Sequence, residues 1–243
     1  DTALRSLSHD GSGEEPGFKD PHTGTWDLRP HAARIESIDE STLKIWQSVT
    51  DSEDWRSTPM VSTVNSAAAR TISTLATQQR IGSLELQFSS GWNETNDFED
   101  GRFIKKWGET SWGDAILQGP HLYVSTPLYK RPNKTMKHNQ DWTSTDLEVL
   151  PADALPITQY KPAGSRTIYD RLYTHWGDSS ARDHYRIAWR RMAKNTNERT
   201  LIPVIIPPGA THVHTTYSTA VHSKDLSLLP LILASASTLL ADF

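Results

Sequence analysis

Two spacings of apolar residues run along this chain. Leu43, Trp46 and Val49 recur at helical steps after Asp39, which predicts a short helix capped by that aspartate and running through Thr50. Ile72, Leu75 and Ala76 form the stripe of a second helix, expected over 66–79, with Asn65 as cap and Gly82 beyond its end. At Leu84 the period shortens, and Leu84, Leu86 and Phe88 alternate as a strand does. Trp92, Trp107 and Trp112 follow. The turn-formers Asn96-Asp97 and Asp100-Gly101 part them, a pattern of short strands and loops.

Farther on, Asp146 to Asp153 offers one helical turn or a turn-rich loop, stopped by Pro151 and Pro156. Tyr185, Ile187 and Trp189 alternate with Arg186 and Arg190. Asn195-Thr196-Asn197 then supplies a turn, and 200–206 is β-branched and apolar. A β-hairpin is expected, with Pro203 confining its second strand to an edge or a bulge. The competing helix would align Tyr185, Trp189 and Met192 on one face and Arg182, Arg186 and Arg190 on another. From Asp225 the chain reads as a buried helix. Residues 1–25, rich in Gly, Ser, Asp, Glu and Pro, are expected to form a loosely ordered lead-in, and 26–243 one domain. No internal repeat is present. The expected class is α+β, a mixed or antiparallel sheet with flanking helices.

Charge changes that picture more than composition does. The 243 residues carry a formal net charge of −4, but residues 1–60 hold 12 Asp/Glu against 6 Lys/Arg, so 61–243 are net positive. The positive residues concentrate in 130–137 and 182–199. Cysteine is absent, which excludes disulfides, thiolate zinc sites and iron–sulfur clusters and suits a reducing cytoplasm. The apolar tail from Leu226 to Ala241 is broken by Pro230 and several hydroxyl residues. It also falls short of the ~20 residues a bilayer span requires, so no membrane is expected as partner. Asp1 in place of Met suggests a piece of a longer chain.

The most informative stretch lies between Gln118 and Tyr160. No acidic residue occurs between Ala115 and Gln140, where Lys130, Arg131, Lys134 and Lys137 are interleaved with Tyr123, Tyr129, Asn133, Asn139 and Gln140. Cations neutralise phosphates, amides pair with base edges and flat rings stack on bases, so this mixture points to nucleic acid. Lys130, Arg131, Lys134 and Lys137 are the expected phosphate contacts. Asn133, Asn139 and Gln140 are the expected base readers. Arg186, Arg190 and Arg191 would also meet DNA, unless one or two turn inward to pair with Asp183 or Glu198. Gln118-Gly119-Pro120-His121 reads first as a hydrogen-bonded loop device. His212 and His214 could form half of a metal site, although nothing nearby completes it. Trp92, Trp107 and Trp112 are expected in the core, and Trp142 alone at the surface.

What the chain lacks narrows the chemistry. It has no GxGxxG or GxxxxGK loop, no DPPY- or NPPY-type tetrapeptide, no HExxH, no GxSxG and no nucleophilic cysteine. Binding is therefore the expected role, with no catalytic residue and no metal.

Four blocks, taken in order, carry a resemblance: WNETNDFEDGRFIKKWG from Trp92, SWGDAILQGPHLYVSTPLYKRPN from Ser111, HNQDWTSTDLEVLPADALPITQY from His138 and YRIAWRRMAKNTNERTLIPVIIPPG from Tyr185. Together they resemble the C-terminal target-recognition region of large adenine-N6 DNA methyltransferases from restriction–modification and phage-defence systems of the BREX and DISARM kinds. The resemblance runs from about Trp26 to Phe243. It departs from the family at Pro203 and in ending at Phe243, before the helices that usually follow. The resemblance implies a specificity domain in a cytoplasmic bacterial protein, closing on double-stranded DNA opposite a catalytic domain of the same parent chain. That catalytic domain would hold S-adenosylmethionine and the extruded adenine. This chain would then transfer no methyl group alone, and the resemblance is compatible with a nuclease fused to the parent. Two other classes remain: a protein-interaction scaffold within a defence complex, docking through the acidic first 60 residues, and a tryptophan-rich carbohydrate-binding domain.

Overall fold

The computed structural model of the protein describes residues 2–17, 19–20, 22–193, 199–221, 226–238 and 241. The chain divides into two compact units, 1–80 and 81–243. Among the described residues the first contains three α-helices: α1 (Thr2–Leu7), α2 (Glu40–Thr50) and α3 (Ser66–Ala76). Both expected caps are present, since the side chain of Asp39 accepts from Thr42 N at 2.8 Å and that of Asn65 from Ala68 N at 2.9 Å. Trp46 and Ala69 are buried, as their helical spacing requires. α3 stops short of the expected Gln79, where Thr77 turns its hydroxyl back onto the Thr74 carbonyl. The division falls at Arg80 and not at residue 25, because the lead-in is anchored within this unit. Ser6 is buried, and Asn65 Nδ2 donates to the Pro16 carbonyl at 2.9 Å.

The second unit begins with β1 (Leu86–Ser89), α4 (Asn96–Glu99), β2 (Phe103–Glu109) and β3 (Ile116–Leu117). Then come β4 (Lys130–Pro132), β5 (Trp142–Ser144), β6 (Ile157–Pro162), α5 (Arg166–Leu172), β7 (His175–Trp176) and β8 (Ser179–Ser180). It ends with β9 (Arg186–Arg190), β10 (Pro203–Ile206), β11 (Thr211–His212), β12 (Thr216–Val221) and α6 (Leu228–Ala236). β1 starts later than the alternation suggests, because 81–84 wind into a 3-10 turn before Glu85 takes a positive φ.

The class is mixed α+β, with antiparallel pairing dominant. A four-stranded antiparallel sheet has the order β1-β12-β9-β10. β9 and β10 form the expected hairpin, Trp189 facing Pro203, and the helical alternative for 185–192 is excluded. Pro203 sits on the edge strand, as its missing N–H demands. The turn expected at 195–197 lies outside the described residues, as does Asp225. α6 buries Leu229 but exposes Leu231, so it covers the unit on one side only. No helix among the described residues is long and apolar enough to cross a membrane.

β3 pairs in parallel with β11 and separates two cores. Its successive side chains point to opposite faces. Ile116 joins an aromatic core of Trp92, Phe103, Tyr160, Tyr169 and Tyr173, whereas Leu117 joins an aliphatic one with Leu122, Ala188, Val204 and Ile206. Within the aromatic core the Trp92 indole donates to Tyr169 Oη at 2.7 Å, which leaves no buried N–H orphaned there.

Candidate functional site

The second unit holds a cleft of about 1020 Å³. Its walls come from segments far apart in sequence: Glu94 after the Trp92 bridge, Lys105 and Trp107 on β2, the Gln118–Pro120 turn, and Gln159 and Tyr160 on β6. The hairpin β4–β5 adds Lys134, Met136, Asn139 and Trp142. Arg190, Arg191 and Met192 arrive from the end of β9, and His214 and Thr215 from the β11–β12 connection. β2 and β6 pair so that Lys105 faces Tyr160, and a bulge between Lys105 and Gly108 carries Trp107. The Trp107 indole donates to the Pro132 carbonyl at 2.7 Å, tying β2 to the basic hairpin.

One carboxylate organises part of the wall. Glu94 Oε1 accepts from Tyr160 Oη at 2.8 Å and from Gln118 Nε2 at 3.0 Å. The Glu94 backbone N–H donates to His214 Nδ1 at 3.0 Å, placing the proton of a neutral His214 on Nε2. Burial, then the adjacent Glu94, raises the Tyr160 phenol well above the usual tyrosine range, so it stays a donor. Gln118 and Tyr160 are buried, and Glu94 is half-buried.

The cations are arranged differently. Lys105, Lys134 and Arg191 are exposed. Arg190 is half-buried: one guanidinium nitrogen donates to the Leu122 carbonyl, the group lies 6.0 Å from the Tyr129 ring, and its buried Nε has no hydrogen-bond partner. A cleft carrying three exposed cations beside the half-buried Arg190 can bind anions.

Four expected site residues meet in this cleft: Lys134, Asn139, Arg190 and Arg191. The others do not. Lys130 and Arg131 border a smaller pocket of about 200 Å³ with Glu109 and His121. Lys137 and Gln140 are exposed beside the cleft residues in sequence without lining it. Asn133 is not the free base reader expected of it: its Nδ2 donates to Asp141 at 2.7 Å and its Oδ1 accepts from Thr143 at 2.7 Å, which clamps the hairpin loop. The Asn133 bond, then the Lys137 N–H, holds the Asp141 carboxyl below its ordinary pKa.

Arg186 departs furthest from expectation. It is wholly buried, donating to the carbonyls of Ala210 and His184 and, at 3.4 Å, to Tyr173 Oη. Asp183 is not its partner; that carboxylate accepts from Ser180 N, and Glu198 lies outside the described residues. Arg186 therefore cannot contact DNA, because none of its surface is accessible.

The remaining candidates separate cleanly. His121 is buried, with Nδ1 accepting from Gln118 N at 2.9 Å and Nε2 bonded to the Ile157 carbonyl, and burial pushes its pKa down to about 4. His212 is buried on Ser218, 2.7 Å away, and its pKa falls to about 3 through burial and the neighbouring Arg186. His214 faces the cleft instead, and no metal-holding group of three occurs among the described residues. Trp92 is in the aromatic core and half-buried Trp112 packs against the aliphatic one, whereas Trp107 is 41% exposed and Trp142 packs edge-on to His121. Sequence reading missed Glu94, Lys105, Gln159 and Tyr160. Nothing local marks them, since Glu94 meets partners 24, 66 and 120 residues away. Compared with known proteins, the chain matches no family model, no curated protein and no solved structure, so its site rests on the geometry above.

Proposed function

We propose that residues 81–243 bind double-stranded DNA as the sequence-reading module of a bacterial adenine-N6 DNA methyltransferase, in a restriction–modification or phage-defence system. Methyl transfer would occur in a catalytic domain of the same parent chain. One observation carries the DNA part of this proposal: Lys134 and Asn139 from the acid-free segment share a cleft with Arg190 and Arg191 from a distant hairpin. The methyltransferase part rests on the resemblance of the four sequence blocks. A volume of about 1020 Å³ stands at the upper end of the roughly 300–1,000 Å³ typical of small-molecule pockets, which suits a polymer better than a metabolite. Lys105, Lys134 and Arg191 would neutralise phosphates and fix register, while Asn139 supplies an exposed amide for a base edge. S-adenosylmethionine does not fit these residues. Gly119, which among the described residues is the one glycine lining the cleft, sits in a 3-10 turn against Thr215 and not in a glycine-rich loop leading from a strand into a helix.

Fluorescence anisotropy of the 1–243 chain with labelled duplex DNA, from low to moderate salt, provides the test. Three cationic contacts predict a log–log salt slope of roughly −3. No duplex binding at low salt would overturn the proposal. Salt-insensitive binding to glycans would instead select the carbohydrate class, whose one structural support is the exposed Trp107 in the same cleft as Glu94.

A further inference from the structure

We infer that Glu94 is a base-reading acceptor, selecting the exocyclic amino group of a cytosine at one position of the bound DNA. The inference rests on the DNA-binding proposal and assigns it a specificity residue. Glu94 lines a cleft with four cations, yet no Lys or Arg lies within ion-pair distance of it among the described residues. It is not serving as their counter-ion. Its Oε1 is held twice, by Tyr160 Oη and Gln118 Nε2, and its Oε2 has no hydrogen-bond partner among the described residues. The side chain is thus oriented with one acceptor oxygen unspent.

A neighbouring amide fixes the carboxylate. Gln118, 7% exposed, spends its Nε2 on Glu94, so the amide cannot flip without losing that bond, and its buried Oε1 is left with no partner. Gln159 Oε1 is likewise buried and unpaired. Both of those amide oxygens are enclosed, which leaves Glu94 Oε2 as an acceptor the wall can offer to a ligand. Tyr160 offers no donor there, because its proton is engaged on Oε1. In the major groove, guanine presents two acceptors and thymine an acceptor with a methyl group, and a carboxylate repels both patterns. Adenine places its amino group beside the N7 acceptor, whereas cytosine presents the amino donor alone. A fixed carboxylate with one free acceptor oxygen therefore suits cytosine best. The basic residues of the cleft offset the repulsion between Glu94 and the phosphates.

Selection from a randomised duplex pool by the wild-type chain, followed by sequencing, should enrich cytosine at one position, with roughly 10-fold or greater loss for the other bases there. Glu94→Gln removes a negative charge and adds a donor. It should bind random duplex more tightly while losing the cytosine preference, shifting toward adenine, which an amide pairs through N6 and N7. Should that variant misfold in thermal melting, the wild-type chain with N4-methylcytosine at the selected position supplies the same test, and binding should fall about 10-fold. An unchanged cytosine preference in Glu94→Gln, indifference of the wild type to N4-methylation, or enrichment of adenine, guanine or thymine by the wild type overturns the assignment. In each of those cases salt-dependent DNA binding persists, so only the role of Glu94 fails. Absence of any duplex binding would remove both proposals together.

Discussion

Arg186 and Arg190 occupy the same strand and, four residues apart, the same face of β9. Their environments are opposite. Arg186 is enclosed between the hairpin and the β11 segment, its guanidinium spent on backbone carbonyls and a tyrosine. Arg190, at the strand's end, is half-buried and lines the cleft, and Arg191 follows it exposed. One end of the strand uses arginine to close the fold and the other to open a site. Residue type alone does not distinguish them; what covers each end does.

The buried end should show the largest effects. Gly91 lies there with a φ of 68°, and a Cβ would fall inside the carbonyl and imidazole of His212. Gly91→Ala should cost on the order of 3 kcal/mol or more, measured by urea unfolding. Arg186→Ala should lose a comparable amount by leaving buried acceptors unpaired, while any folded fraction keeps the wild-type salt slope. A wild-type melting temperature for both would erase the distinction between the two ends.

Acid should then weaken the buried side. The folded pKa values of His121 (about 4) and His212 (about 3) lie below the unfolded value of about 6.5. Between those values the unfolded chain binds protons that the folded chain refuses. Their contribution is therefore complete above about pH 6.5 and declines as pH falls toward 4 and then 3, at roughly 1.4 kcal/mol per pH unit for each histidine. Thermal melts from pH 7 to pH 4 should show this decline. His121→Gln should blunt it, and an unchanged slope in that variant would remove His121 from the cause.

The open end should behave in reverse. Lys134→Ala and Arg191→Ala should change stability by no more than about 0.5 kcal/mol yet each reduce the salt slope of DNA binding by about one. The smallest effect belongs to Lys130→Ala and Arg131→Ala, which lie outside the main cleft and should alter the slope by less than Lys134→Ala does. Equal effects from all four would mean that the whole basic segment, and not the cleft, meets the phosphates.

Much of the fold was legible. The caps Asp39 and Asn65, the 185–206 hairpin and the edge position of Pro203 follow from local rules that residues obey within a few neighbours. The site was legible only in part. Lys134, Asn139, Arg190 and Arg191 stood out by charge and amide content, but so did Asn133, which the hairpin consumes through Asp141 and Thr143. Glu94 carried no signal, since one glutamate among Asn and Thr is indistinguishable from a solvated loop residue.

By itself the sequence determined the α+β class, the principal helix caps, the acid-free basic stretch and the lack of thiol chemistry, because propensity, alternation and composition are local properties. Only the tertiary structure decided that Arg186 is core and Arg190 is not. Tertiary structure alone also joined Glu94 to Gln118, Tyr160 and His214 in one wall. Burial and hydrogen-bond partners arise from chain segments that meet across long sequence separations, and no local pattern encodes which polar group will be left with a bond to give.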